Sequence, residues 1–261
     1  MGVTQGKEVI NKMAKKKFYE FKNQTKDSLD IMLYGEIISG GLDSKWDSTD
    51  VTFQDFKNAL DNLGNIKTVN IYINSPGGSV FATQGIIAML QRIKDKGIII
   101  NSYIDGLGAS CASILPMVSN NVYAYNSSIL MVHKPMNIAM GNADDFKAQV
   151  ELLDKIEDSV IIPLYMAKAK EGVTEEQIKT LMSNETWLDA KEMSNIFDIT
   201  ILEESKDLVA CIDNENILKN YKNTPIKVKD FIGKENNIER KANNKLNELE
   251  LAKAKLKLAA I

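Results

Sequence analysis

Ser110 and His133 are the two residues in this 261-residue chain whose types and spacing suggest covalent chemistry. Ser110 lies in "IDGLGASCASILP", after an apolar strand and a Gly-x-Gly-Ala approach, where a helix should begin. Small neighbours leave its hydroxyl approachable, and backbone N–H groups at a helix start face outward to receive developing negative charge. A serine hydroxyl is a weak nucleophile until a base near neutral pKa takes its proton, and histidine is the usual supplier. His133 is the only histidine in the chain and ends the apolar segment "SSILMVH". Together they are the ingredients of acyl transfer. Taken singly, each has a plainer reading: small residues allow close helix–sheet packing, and a histidine can simply end a strand. Lys134 is a second candidate base, but successive side chains on a strand point to opposite faces.

These residues need elements to hold them. "SLDIMLYGEI" reads as a strand and "TFQDFKNALDNLG" as a helix capped by Thr52 or Asp50 and stopped at Gly64. "KTVNIYIN" is a second strand, which runs into "SPGG" and a helix from about Val80 to Lys96 that Gly97 ends. The strand "GIIINSYID" and two short strands in "NVYAYNSSILMVHKP" follow. One long helix is expected from about Asn142 to Lys170, and another from Thr174, where "TEEQ" makes a capping box. Strands alternating with helices predict a mainly parallel α/β sheet, whose chemistry lies at the carboxyl ends of its strands. The glycine-rich turns expected at Ser75 to Ser79 and Asp105 to Ala109 fall at such ends.

Composition narrows the class. With 44% hydrophobic and 26% charged residues the chain is ordinary for a globular protein, and a net charge of -3 gives no general case for nucleic-acid binding. Residues 205–261 carry 12 Lys/Arg against 8 Asp/Glu, and the rest 20 against 27, so the tail is +4 and the body -7. Two cysteines, Cys111 and Cys211, make no disulfide framework and no metal spacing, so neither metal nor cofactor is expected. No signal peptide or membrane-length apolar run is present in the sequence, which makes a soluble cytoplasmic protein the default expectation. The expected organisation is a basic leader or arm over 1–25, a catalytic domain over 26–204 and a basic, partly helical extension over 205–261. Leu246, Leu249 and Leu256 lie on the one weak apolar stripe of that extension.

"YINSPGGSVFATQGI", "DGLGASCASIL", "LMVHKP" and "NETWLDAKEMSNIFDI" occur in this order. In this they resemble the motifs of the Clp protease proteolytic-subunit family over about Leu29 to Glu203. The "ETW" ending, the long C-terminal extension and the basic leader make the chain look most similar to the Clp-like head maturation (prohead) proteases of phages and prophages. The resemblance implies a crotonase/Clp-protease-like fold of ββα repeats, assembly into rings, and a Ser-His-acid triad. Ser110 matches the nucleophile and His133 the base. Gly77 and Cys111 match the two oxyanion-hole N–H donors, and Gly78, Ser79, Val80 and Met136 the backbone that binds an extended substrate by strand addition. The Cys111 thiol itself is expected to pack rather than react. The family's third member is an aspartate shortly before the aromatic residue that matches Trp187, and here no Asp stands there. Glu185 is the leading orienter of His133, Asn184 an uncharged substitute, and Asp189 the expected cap of the helix "AKEMSNIF".

The implied function is a serine endopeptidase processing phage scaffold and capsid proteins in the host cytoplasm, with an AAA+ unfoldase possible but not required and no nucleic-acid or membrane partner. Other readings remain at this point: a general ATP-dependent Clp peptidase subunit, or a catalytically weak assembly or scaffold factor of the same fold. A Ser-Lys dyad like that of signal-peptide-peptidase relatives would use Lys134. An acyl-CoA enzyme of the crotonase fold would use the same paired N–H donors on a thioester. The helix over 142–170 is a candidate ring contact.

Overall fold

The computed structural model describes residues 27–39, 51–61, 65–203, 221–225 and 228. The expected leader, Cys211 and nearly all of the C-terminal extension lie outside the described residues. Backbone contacts divide the chain into Met1–Cys211 and Ile212–Ile261, and the fold described here is that of the first unit.

The elements in chain order are β1 (Ser28–Tyr34), β2 (Ile37–Ile38), β3 (Val51–Thr52), α1 (Phe53–Asp61), β4 (Thr68–Ser75), α2 (Val80–Asp95) and β5 (Ile99–Ala109). There follow α3 (Cys111–Ile114), a 3-10 turn (Pro116–Val118), β6 (Asn121–Tyr125), β7 (Ile129–Val132) and α4 (Ala143–Ile156). A π turn (Glu157–Ile161), α5 (Ile162–Met166), α6 (Glu175–Ser183), β8 (Thr186–Leu188), α7 (Ala190–Ile196) and β9 (Thr200–Leu202) complete the unit. The principal sheet has the strand order β1-β4-β5-β6-β9, all parallel, and β7 pairs parallel with the far end of β5 and antiparallel with β8. The expected α/β class with a mainly parallel sheet is what the chain adopts.

Alternation along the strands divides the sheet into two faces. Leu29, Ile31, Leu33, Val69, Ile71, Ile73, Ile100 and Ile104 turn to one side and are buried. Ala82, Ile86, Leu90 and Ile93, spaced for one face of α2, join the same core. Each fully buried Ile or Leu contributes about 1.5–3 kcal/mol, so this core readily offsets local strain elsewhere. The opposite face carries a ladder of in-register side chains: Asn121 donates to Asn101, Asn101 to Asn70 and Asn70 to Asp30, at 2.9, 2.9 and 2.8 Å. Two residues further on, Tyr72, Tyr103 and Tyr123 stack at centroid spacings of 4.9 Å. Burial, with Asp30 nearby, pushes the Tyr72 hydroxyl up to about 12.

Two expectations change. The strand ending at Asp105 continues through Gly106-Leu107-Gly108 to Ala109, so the turn begins at Ser110. The glycines allow this: a Cβ on Gly106 would stand 2.9 Å from Asn74 Oδ1, which accepts the Leu107 N–H at 3.0 Å. The long helix over 142–170 is interrupted by the π turn and ends at Met166. Pro163 gives the reason, since its ring and missing N–H forbid the regular bond to the carbonyl one turn back. Among the described residues no helix is long and apolar enough to cross a membrane.

Candidate active site

β5 carries the chain to Ser110, which leaves the strand at φ 54° and ψ -129° before α3 begins at Cys111. A non-glycine residue at positive φ costs on the order of 1–3 kcal/mol and persists only where its surroundings hold it. Here the Ser110 N–H donates to Met131 O of β7 at 3.0 Å, and the Ser110 carbonyl accepts from Ser113 N at 2.9 Å. The turn projects the hydroxyl toward the end of β7, where His133 follows Val132. Ser110 Oγ and His133 Nε2 are 2.6 Å apart, within the reach that proton transfer requires.

The antiparallel register of β7 and β8 pairs Val132 with Thr186, and one step further sets His133 opposite Glu185. Glu185 has φ 48°; it and Ser110 are the two non-glycine residues at positive φ among the described residues. The electrostatics agree with the register. Burial holds the His133 imidazole below its ordinary pKa, and the Glu185 charge partly restores it. Trp187 Nε1 lies 3.5 Å from Glu185 Oε1, at the outer limit of a hydrogen bond. Asn184 ends α6, and Asp189 caps α7 by accepting the Glu192 N–H at 2.8 Å. Glu185 is thus the carboxylate that acts on the imidazole.

Lys134 is turned away, as strand alternation expects, and pairs with Glu157 Oε1 at 3.1 Å on the π turn. A Ser-Lys dyad has no geometric support in this arrangement.

Gly77 (φ 97°) is buried directly against Ser110: a Cβ there would lie 2.6 Å from Ala109 O and 2.7 Å from Ser110 Cβ. Its N–H donates to Ser75 Oγ at 3.2 Å, away from the role expected of it. Gly78 is exposed and bridges to Ile37, whose carbonyl receives the Ser79 N–H at 2.7 Å. Ser79 Oγ caps α2 through Ala82 N at 3.3 Å, and Val80 opens that helix against the core. Ser79 and Val80 therefore build the turn, with the Ser79 N–H already committed. Met136 is 57% exposed in the extended segment after His133. Burial pushes the Cys111 thiol up to about 11, against lowering by the Thr83 side chain and by the backbone of Gly78 and of Cys111 itself.

A scan against family models finds the Clp protease family over residues 20–196. The chain belongs to the Clp protease family. This is a serine peptidase family, and the chain resembles several curated Clp proteolytic subunits. It is 31% identical over 136 residues to the ATP-dependent Clp protease proteolytic subunit of Bacteroides fragilis, covering 51% of this chain and 62% of that one. The Porphyromonas gingivalis subunit is 28% identical over 135 residues, 51% and 58% of the two chains. Proteolytic subunit 2 of Bacillus licheniformis is 28% identical over 130 residues, 49% and 65%. The matches thus span about three fifths of each relative's length.

Glu185 is also the group through which pH should report on the site. The imidazole must be neutral to accept the Ser110 proton, so the rate rises with pH through the His133 pKa. Glu185 raises that pKa; Glu185→Gln removes the raising charge, so the acid limb moves to lower pH. The plateau rate falls by about tenfold or more because the imidazolium loses its partner. Rates of covalent labelling of Ser110 between pH 5 and 9 check both; an unmoved acid limb would remove Glu185 from the triad.

Proposed function

We propose that this protein is a serine endopeptidase acting through an acyl-enzyme. The 2.6 Å contact between Ser110 Oγ and His133 Nε2 carries the reading. His133 Nε2 takes the hydroxyl proton as Ser110 Oγ adds to the scissile carbonyl, and the developing imidazolium is stabilised by Glu185. The oxyanion is received by the N–H groups of Cys111 and Gly78, with Gly77 shaping the turn, since its own N–H is held by Ser75 Oγ. His133 gives the proton to the departing amine, the C–N bond breaks, and water then hydrolyses the Ser110 ester with His133 again as base. Gly78 and the extended backbone at Met136, both exposed, supply edges for an extended peptide in this reading.

The substrates we propose are scaffold and capsid proteins processed during phage head maturation, by a homo-oligomeric ring. The "ETW" segment, the basic leader and the long basic extension support this. Exposed Phe146 and Val150 on α4 support self-association. The names of the curated relatives favour a second reading, a proteolytic subunit fed by an ATP-dependent partner. Incubation with a fluorophosphonate probe, followed by peptide mapping, should place one adduct on Ser110. Incubation with an unfolded polypeptide, without nucleotide or unfoldase, should yield cleavage products. No adduct at Ser110 overturns the peptidase reading, and cleavage that requires an added ATPase favours the second.

A further inference from the structure

The strained conformation of Ser110 demands explanation from its surroundings, and one support reaches it through Ser113 from far away in sequence. Ser113 Oγ lies 2.6 Å from Ser110 O, and Tyr165 OH lies 2.5 Å from Ser113 Oγ. Ser113 is 0% and Tyr165 1% exposed. The direction of this chain follows from valence. A carbonyl only accepts, and a serine hydroxyl has one proton. The Ser113 proton is therefore committed to Ser110 O, and Tyr165 must donate to Ser113 Oγ. Burial raises the Tyr165 hydroxyl well above its ordinary pKa, so it keeps that proton.

The Ser110 carbonyl is not an isolated acceptor. It and the Cys111 N–H are opposite ends of one planar peptide unit, so fixing the direction of one fixes the direction of the other. We propose that Tyr165 and Ser113 are positioning residues: their hydroxyl chain locks the Ser110–Cys111 peptide plane and so aims the Cys111 N–H at the oxyanion. The Ser113 N–H holds the same carbonyl, but a backbone donor from the following turn moves with that turn. Tyr165 comes from α5, packs against Phe197 at a centroid distance of 5.6 Å, and ties the peptide to the opposite part of the core. This inference rests on the peptidase reading for its consequence, though not for its geometry.

Tyr165→Phe removes one hydroxyl and keeps the ring. In fluorophosphonate labelling at saturating and sub-saturating probe, it should lower the maximal rate about three- to tenfold, the range of a single neutral hydrogen bond. The half-saturating probe concentration should stay unchanged. Ser113→Ala should cost at least as much. Because Tyr165 acts only through Ser113, Tyr165→Phe should have no further effect in the S113A background. A wild-type rate for Y165F, an effect confined to half-saturation, or an undiminished effect in S113A overturns the proposal. If the wild-type protein takes no label at Ser110, the peptidase reading fails by itself. Amide hydrogen exchange of the peptide covering residues 110–113 then decides the positioning claim: faster exchange in Y165F, with α7 unchanged, supports it, and exchange equal to wild type overturns it.

Discussion

Replacing Ser110 by alanine should abolish covalent labelling and reduce peptide cleavage by about a million-fold, and His133→Ala should do nearly the same. The two losses should not add, because each group is useful only through the other. His133 has no proton to accept without the hydroxyl 2.6 Å away, and the hydroxyl is unreactive at neutral pH without His133, the chain's only histidine. The double variant should therefore cleave as slowly as either single one. What activity remains should come from substrate binding and from the backbone N–H groups proposed to receive the oxyanion. Folding should survive both changes. Ser110 and His133 are both only partly buried, and the bond between their side chains joins the ends of elements that the sheet pairing of β5 with β7 already holds together. Initial rates over days with a fluorogenic peptide, alongside denaturant unfolding, check the prediction. A Ser110→Ala protein that still cleaves at a tenth of the original rate removes Ser110 from the mechanism.

How far the sequence foretells this site depends on whether the deciding interaction is local. The capping boxes at Thr174/Gln177 and Asp189/Glu192 join residues three positions apart and are readable as patterns; both form, at 2.8–3.2 and 2.8–2.9 Å. Ser110 and His133 are picked out by residue type, glycine context and the rarity of histidine. Glu185 is harder, because its partner is set by the register of β7 on β8, a pairing between segments more than fifty residues apart in the chain. That the Gly77 N–H turns to Ser75 Oγ is contained in no spacing rule. Continuation of β5 to Ala109 needs the Asn74 side chain opposite Gly106. Ser113 and Tyr165 look like an ordinary helix serine and an ordinary core tyrosine until the fold closes the distance between them. The one signal present beforehand is compositional: a hydroxyl at Ser113 among the small apolar residues after the nucleophile.

Gly77→Ala should cripple labelling of Ser110 while leaving most of the protein folded, and a second glycine provides the control. Both Gly77 and Gly97 have positive φ, 97° and 81°, so alanine at either costs about 1–2 kcal/mol in backbone strain. They differ in what the new methyl meets. At Gly97, which ends α2, there is nothing within 4 Å; at Gly77 the methyl would overlap Ala109 O at 2.6 Å and Ser110 Cβ at 2.7 Å. Neither neighbour is the free end of a flexible side chain. Relief requires β5 or the Ser75–Ser79 turn to move by several tenths of an ångström, and the atom displaced carries the nucleophilic hydroxyl. Displacement near 1 Å at a reacting centre costs about 100-fold in rate. Gly97→Ala should thus lower stability with the labelling rate of Ser110 preserved, whereas Gly77→Ala should lower both, the rate by about tenfold to 100-fold. Equal labelling rates for the two variants would show that Ser110 moves independently of the glycine turn, and the turn's place in the oxyanion site would fall with it.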